Sequence, residues 1–301
     1  MKKYPSPSQD ELHAEIYAEK AWTLMKFSTD RELVSDYFQK AIRMQPDMVE
    51  WNTSHILYSK TDDVLEKMRV AKEQDPDNLS LAVYYLEQRA KKGERIEDEA
   101  RELARRVLRN PVSSHSGIKG ILRVYRYYVS FDEAIDLAEE ALENHPDERY
   151  LKRCAALYYK WFIYFSSSRP KQSTIDRAIS LLKEVISLYP HCSLMKEVDL
   201  ANIYAKSNHT KAIAEQMYQE LLESDLEPAD KQLLYNNYAK YLKCDRQEYQ
   251  RSVQYHMKVA AIPHQSSFRR NSIKILERIK NRRSNPMLRG IEEFLENLQE
   301  P

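Results

Sequence analysis

A chain of 301 residues, 42% hydrophobic and 31% charged, has the composition of a soluble globular protein, long enough for two compact domains or one elongated repeat array. Its formal net charge of +1 excludes a simple polycation that coats nucleic acid, so any polyanion-binding surface requires segregated charge. Only 4 glycines stand against 21 tyrosines, which leaves little for Gly-rich turns and fits helices joined by short connections.

In chain order, the opening Met1-Lys2-Lys3-Tyr4-Pro5-Ser6-Pro7 lacks the apolar core of a secretory signal. No later stretch approaches the ~18 apolar residues of a membrane span. Residues 1–11 read as a tail, 12–262 as a repeat array, and 263–301 as a C-terminal basic helix followed by an acidic capping helix.

The array is marked by a recurring phrase: a small or β-branched residue, four residues, then Pro. It occurs as Ala41…Pro46, Ala71…Pro76, Ala141…Pro146 and Val185…Pro190, with a slipped copy at Val107…Pro111. Successive spacings of these prolines are 30, 35, 35 and 44, a period near that of tetratricopeptide helix pairs. The small residues let the two helices of a pair approach closely. Proline, which has no N–H and clashes with the preceding turn, stops the second helix. The fullest copy holds Tyr125, Ala134, Ala138, Ala141 and Pro146; weaker copies at 198–222 and 233–262 keep Ala214, Tyr218 and Leu221. The predicted fold is an all-α tetratricopeptide-repeat superhelix, an α-solenoid of about seven helix pairs, whose A helices line a concave surface. The 44-residue spacing predicts roughly nine or ten extra residues around Ser166-Ser167-Ser168-Arg169-Pro170-Lys171, lengthening helix A and its loop.

Charge is partitioned within the repeats. Helix A at 117–128 carries Lys119, Arg123 and Arg126 and no acid, at i, i+4 and i+7 on one face. Helix B at 131–143 carries Asp132, Glu133, Asp136, Glu139, Glu140 and Glu143 and no base. With helix A facing inward, the concave wall is expected to be positive and the outside negative; two unrelated solvated faces are the alternative. The next helix A, 150–165, repeats the pattern with Lys152, Arg153 and Lys160 among Tyr150, Tyr158, Tyr159, Trp161, Phe162, Tyr164 and Phe165. Most of these rings belong to the core, and the remainder can stack bases at ~1–3 kcal/mol each. Finally, 269–283 hold Arg269, Arg270, Lys274, Arg278, Lys280, Arg282 and Arg283 against Glu277 alone. Arg270, Lys274, Arg278 and Arg282 form a slanting stripe whose mutual repulsion a polyanion would relieve. A solvated amphipathic helix is the alternative. The tail beyond it is acidic, with Glu292, Glu293, Glu296 and Glu300, as suits a terminal cap.

Signals for catalysis are absent. The sequence has no P-loop, and its eight histidines stand at no metal-ligand spacing. Cys154, Cys192 and Cys244 are odd in number and widely separated, as free thiols in a reducing compartment would be. Sequons at Asn52 and Asn208 carry little weight without secretion. The expectation is a cytoplasmic, non-enzymatic binding scaffold without cofactor, metal, membrane or small-molecule substrate.

Several phrases together resemble the interferon-induced proteins with tetratricopeptide repeats. They are Ala18-Glu19-Lys20-Ala21-Trp22-Thr23-Leu24-Met25-Lys26-Phe27, then Tyr37-Phe38-Gln39-Lys40-Ala41-Ile42 before Pro46, and Val124-Tyr125-Arg126 before Ala134. Val198-Asp199-Leu200-Ala201-Asn202-Ile203-Tyr204 and Pro228-Ala229-Asp230-Lys231-Gln232-Leu233-Leu234 continue the likeness, collinear over about 8–284. The resemblance implies cytoplasmic antiviral effectors that hold the 5′ end of foreign single-stranded RNA in a positive tunnel; some act mainly as partners of their relatives. It places Trp22 at a base or cap pocket, where repeat core is the other reading of a helix-A tryptophan, and Lys26 on terminal phosphates. Lys119 and Arg126 fall on the RNA backbone, Lys152 and Arg153 on the same wall, and Arg169 on a loop arginine. Arg278 and Arg282 match lysines of the C-terminal helix. The charge pattern alone adds Arg123 and Lys274.

The chain departs from the family at Ser59, where a phosphate-reaching arginine is expected, and at Ser116, Gly120 and Met195, where aromatics are. Family repeats before residue 8 and past 285 have no counterpart in this sequence, as in a short member or a fragment of a longer chain; without them the expectation is a weaker single-strand groove rather than stringent 5′-triphosphate selection. Two functions follow. One is RNA binding in innate antiviral defence. The other is a protein-interaction scaffold for related repeat proteins or a second copy, with little or no RNA.

Overall fold

The computed structural model describes residues 13–28, 30–58, 64–109, 117–165, 170–190, 194–281 and 287–298. Within them the chain is helix and short turns. It divides into two compact units, Met1–Leu151 and Lys152–Pro301.

The first unit stacks four hairpins: α1 (Ala14–Phe27) with α2 (Arg31–Met44), α3 (Val49–Tyr58) with α4 (Val64–Gln74), α5 (Leu79–Lys91) with α6 (Glu97–Arg109), and α7 (Ile118–Tyr128) with α8 (Phe131–Asn144). The repeat phrase does what its chemistry predicts. Helices α2, α4 and α8 stop two residues before Pro46, Pro76 and Pro146, while Pro111 lies outside the described residues. Ala134, Ala138 and Ala141 are buried on one ridge of α8, and Ile121, Leu122 and Tyr125 are buried on α7, which packs against it. Asp30, Asn78 and Ser130 cap α2, α5 and α8 by accepting from the backbone N–H of Leu33, Leu81 and Glu133.

Successive A helices also meet, since α5 packs on both α3 and α7. Gly120 makes the second crossing close: a Cβ there would stand 2.8 Å from Val83 Cγ1 of α5. Any side chain at this position forces Val83 to shift, so the closeness of the crossing favours glycine.

The second unit takes in most of α9 (Arg149–Phe165), then α10 (Gln172–Leu188), α11 (Leu194–Tyr204), α12 (Lys211–Glu223), α13 (Pro228–Cys244), α14 (Tyr249–Ala261), α15 (Ser267–Lys280) and α16 (Leu288–Glu296). The described residues therefore hold seven hairpins from α1 to α14, and α15 with α16 forms an eighth. The extra length of the long spacing is not confined to helix A. Both α9 and α10 have 17 residues, against 11 in α7 and 14 in α8. The tyrosines fill this core: Tyr158, Tyr218, Tyr238 and Tyr241 are fully buried, with the Tyr218 ring 4.9 Å from both Tyr238 and Tyr241. Tyr218 donates to Asn202 Oδ1 at 2.7 Å and Tyr238 to Glu215 Oε1 at 2.9 Å, so the hydroxyls of these two rings are matched inside the core. The capping helix α16 seats Ile291 against Ile273, Leu276 and Ile279 of α15.

Candidate nucleic-acid interface

In the first unit, the residues singled out by sequence take three different roles. Trp22 is packed into the α1–α2 core with its ring edge to Phe38, 6.1 Å between centroids, and its Nε1 donates to Ser54 Oγ of α3 at 3.1 Å. Its hydrogen bond is therefore spent on joining two hairpins. Beside it His55 shares a hydrogen bond with Ser35 Oγ at 3.0 Å, and burial with the nearby Lys67 charge holds its pKa below the ordinary value. Lys26, one turn on from Trp22, is exposed, next to a Phe27 that is 87% exposed.

On α7 the acid-free face has an acid after all, supplied by the neighbouring helix. Arg123 Nε and Nη2 reach Glu87 Oε1 and Oε2 of α5 at 3.1 and 2.5 Å. Glu87 is only 7% exposed in its side chain, and Lys91 approaches it at 3.4 Å. The Arg126 guanidinium lies over the rings of Tyr127 and Phe131, 4.7 and 5.4 Å from their centroids. Lys119 is exposed and has no ion-pair partner among the described residues. Thus Lys119 offers a bare charge, Arg126 a charge stacked on aromatics, and Arg123 a clamp.

The second unit sorts its cations the same way. Lys152 pairs with Glu184 of α10 at 3.0 Å, and Lys160 with Asp199 of α11 at 2.6 Å. Arg153 is exposed. Of the seven aromatics of α9, Tyr158 and Tyr159 are buried, Tyr150, Trp161 and Phe162 half-buried, and Tyr164 and Phe165 exposed at the helix end. On α15, Arg269 is buried and donates from Nε to the Ala260 carbonyl at 2.9 Å, a fastening to α14. Arg270, Lys274 and Arg278 point to solvent with no ion-pair partner among the described residues. Arg169 and Arg282 lie outside the described residues, as do Ser59 and Ser116.

Sequence reasoning missed the acids Glu87 and Asp199. Both carboxylates lie on the buried side of an A helix, where a charge demands a counter-charge, and an acid that falls in register with buried apolar positions is the signal that could have found them. It also missed Lys196, on the turn of α11 before Asp199. Among the described residues no group of three His, Cys, Asp or Glu is placed to hold a metal ion, and no helix is long and apolar enough to cross a membrane.

Stacked helical hairpins with cations exposed on A helices define a tetratricopeptide-repeat binding array. Over most of its length the chain is similar to the interferon-induced proteins with tetratricopeptide repeats. It is 23% identical to human IFIT1 homolog B over 97% of this chain and 66% of that protein. It is 25% identical to human interferon-induced protein with tetratricopeptide repeats 2 over 81% of this chain and 56% of that one. The chain thus spans less than two thirds of these curated relatives. No family model matches it. Among solved structures, the human IFIT1 dimer with m7Gppp-AAAA superimposes with a TM-score of 0.63 at 21% identity, covering 98% of this chain and 71% of that one. The same dimer with PPP-AAAA gives 0.61 at 20% identity over 95% and 70%. A tetratricopeptide repeat protein from Parabacteroides merdae gives 0.50 at 14% identity over 87% and 98%, and these likenesses establish the fold.

Proposed function

We propose that this chain is a cytoplasmic effector of antiviral innate immunity that binds single-stranded RNA, including viral 5′ ends, in basic grooves on the A-helix faces of its units. The observation that carries the reading is the charge sorting on α7. Lys119 is exposed and without an ion-pair partner among the described residues, Arg126 is part-exposed and stacked on two rings, and no acid lies on the helix itself. Arg153, Lys274 and Arg278 offer equivalent charges in the second unit. Phosphates gain from such charges by releasing counterions, and exposed rings accept bases by stacking. The likeness to a protein solved with capped and triphosphate tetra-adenylate adds support. Binding of single-stranded RNA that weakens steeply with salt tests the reading.

A second reading is a protein-interaction scaffold. It is favoured by the groove of α1 and α2 where Ile16 and Leu33 lie exposed beside Leu24 and Tyr37, and by the dimeric state of human IFIT1. A protein partner retained after nuclease treatment, with no RNA binding by the purified chain, selects this reading.

A further inference from the structure

We infer that Lys196 of α11, with Lys160 and Arg153 of α9, forms a phosphodiester-binding subsite on the second unit, positioned by the buried carboxylate of Asp199. The inference rests on the RNA-binding reading and adds to it a residue that neither the charge pattern nor the resemblance picked out.

Two lysines here share one acid, with the charge of Arg153 acting on one of them. Asp199 is 5% exposed in its side chain, and its Oδ1 is taken by Lys160 Nζ at 2.6 Å. Lys196 Nζ stands 3.8 Å from Oδ2, near enough for attraction and too far for a hydrogen bond. Its side chain is only 17% exposed, so little water reaches the ammonium. The other acid of α11, Glu197, makes no ion pair with it among the described residues. The protonated form is correspondingly disfavoured: burial lowers the Lys196 pKa, Asp199 raises it, and the charges of Lys160 and Arg153 lower it again.

A lysine held dry, under-bonded and beside two like charges is unfavourable on its own. An anion that supplies oxygen acceptors to Lys196 and Arg153 together removes each of those deficits. Asp199 prevents a fully neutral pairing because Lys160 already occupies it, so it aims the ammonium groups rather than consuming them. A phosphodiester is the ligand that suits: singly charged, with two free oxygens, and repeated along a strand that the exposed Lys274 and Arg278 of the same unit would also meet.

The test is titration of a fluorescent 5′-hydroxyl oligoadenylate against the full chain across a salt series, for the parent, Lys196→Gln, Lys196→Arg and Lys119→Glu, with pyrophosphate and polyglutamate as competitors. Lys196→Gln is expected to weaken binding about 5–10-fold and to reduce the slope of log K against log salt by about 0.7, one single-strand phosphate contact. Lys196→Arg retains both. If Lys196→Gln keeps the parent slope while Lys119→Glu loses affinity, the subsite is refuted and the RNA reading stands. If the parent shows no salt-sensitive binding, both fall. Displacement of the bound oligoadenylate by pyrophosphate at concentrations no higher than unlabelled oligoadenylate requires overturns the phosphodiester assignment in favour of a free phosphate, and such displacement by polyglutamate overturns it in favour of an acidic protein. Should Lys196→Gln fail to fold by circular dichroism, reductive methylation provides the second readout. The dimethyl-lysine resonance missing from Lys196→Arg must shift on oligoadenylate addition, and an unmoved resonance contradicts the subsite.

Discussion

Arg123 of α7 closes a two-bond clamp on Glu87 of α5, a carboxylate 36 positions earlier in the chain and almost completely shielded from water. This pairing separates the basic residues of the A helices into those that hold the stack together and those that face outward. Arg123→Gln is expected to destabilise the first unit by ~1–2 kcal/mol, because among the described residues it leaves the buried Glu87 with Lys91 as its remaining ion-pair partner, while the arginine itself was part-exposed. RNA affinity should change less than in Lys119→Glu, whose stability should be near that of the parent. Urea melts and RNA titrations on both variants separate the two roles. A stable Arg123→Gln with lost RNA affinity would reassign this arginine to the ligand.

The α5–α7 crossing sets a second expectation. Alanine at position 120 gains ~1 kcal/mol of helix propensity over glycine, yet its Cβ collides with Val83. Overpacking of this kind costs ~1–3 kcal/mol, so Gly120→Ala should lower stability by ~1 kcal/mol. In a Val83→Ala background the same change should be stabilising, and that reversal of sign in a double-mutant cycle is the check.

Trp22 should report on the junction between the first two hairpins. Trp22→Phe keeps the ring edge on Phe38 and loses the bond to Ser54. Both Trp22→Phe and Ser54→Ala should cost ~1 kcal/mol, and the double variant little more than either alone. Additive losses in chemical denaturation would mean the bond contributes nothing.

Acid sensitivity should concentrate in the second unit. His256 is buried between α13, α14 and α15, its Nδ1 3.1 Å from Ser272 Oγ, with its pKa pushed down to about 4 by burial and by Lys240 and Lys243 of α13. Arg269 of α15 adds a further fixed positive charge to that junction. Because the folded pKa lies below the 6.5 of the free side chain, the unfolded chain binds the proton more readily. The full stability of this site is present above pH 6.5, declines as pH falls from there, and is lost by about pH 4. The total amounts to as much as ~3 kcal/mol. Thermal melts across that range should show the decline in the parent and a shallower one in His256→Gln. Parallel curves would locate the titration elsewhere.

How far this was legible in the sequence depends on the range of each interaction. Helix boundaries around Ala41–Pro46, Ala71–Pro76 and Ala141–Pro146 were readable, because alanine packing and proline termination act within one hairpin. The basic and acidic runs of α7 and α8 were readable for the same reason. The pairings Arg123–Glu87 and Lys160–Asp199 were not: they join A helices 36 and 39 positions apart, and which cation meets which acid is decided by how one hairpin stacks on the next. Trp22 carried two readings in sequence. The bond to Ser54 shows that its ring edge is used in packing. The proline spacing predicts added length near α9 but not its sharing with α10, since such a spacing reports total length alone.

The decisive measurement is fluorescence titration of a single-stranded RNA with the full chain from low to physiological salt, alongside the Lys119→Glu, Arg126→Glu double variant. If Lys119, exposed, and Arg126, stacked on its rings, serve phosphate, binding should be micromolar or tighter, fall linearly in log–log form and nearly vanish in the double variant. Binding absent at micromolar protein, or indifferent to salt and to both reversals, would contradict that role and leave the repeats as a surface for other proteins.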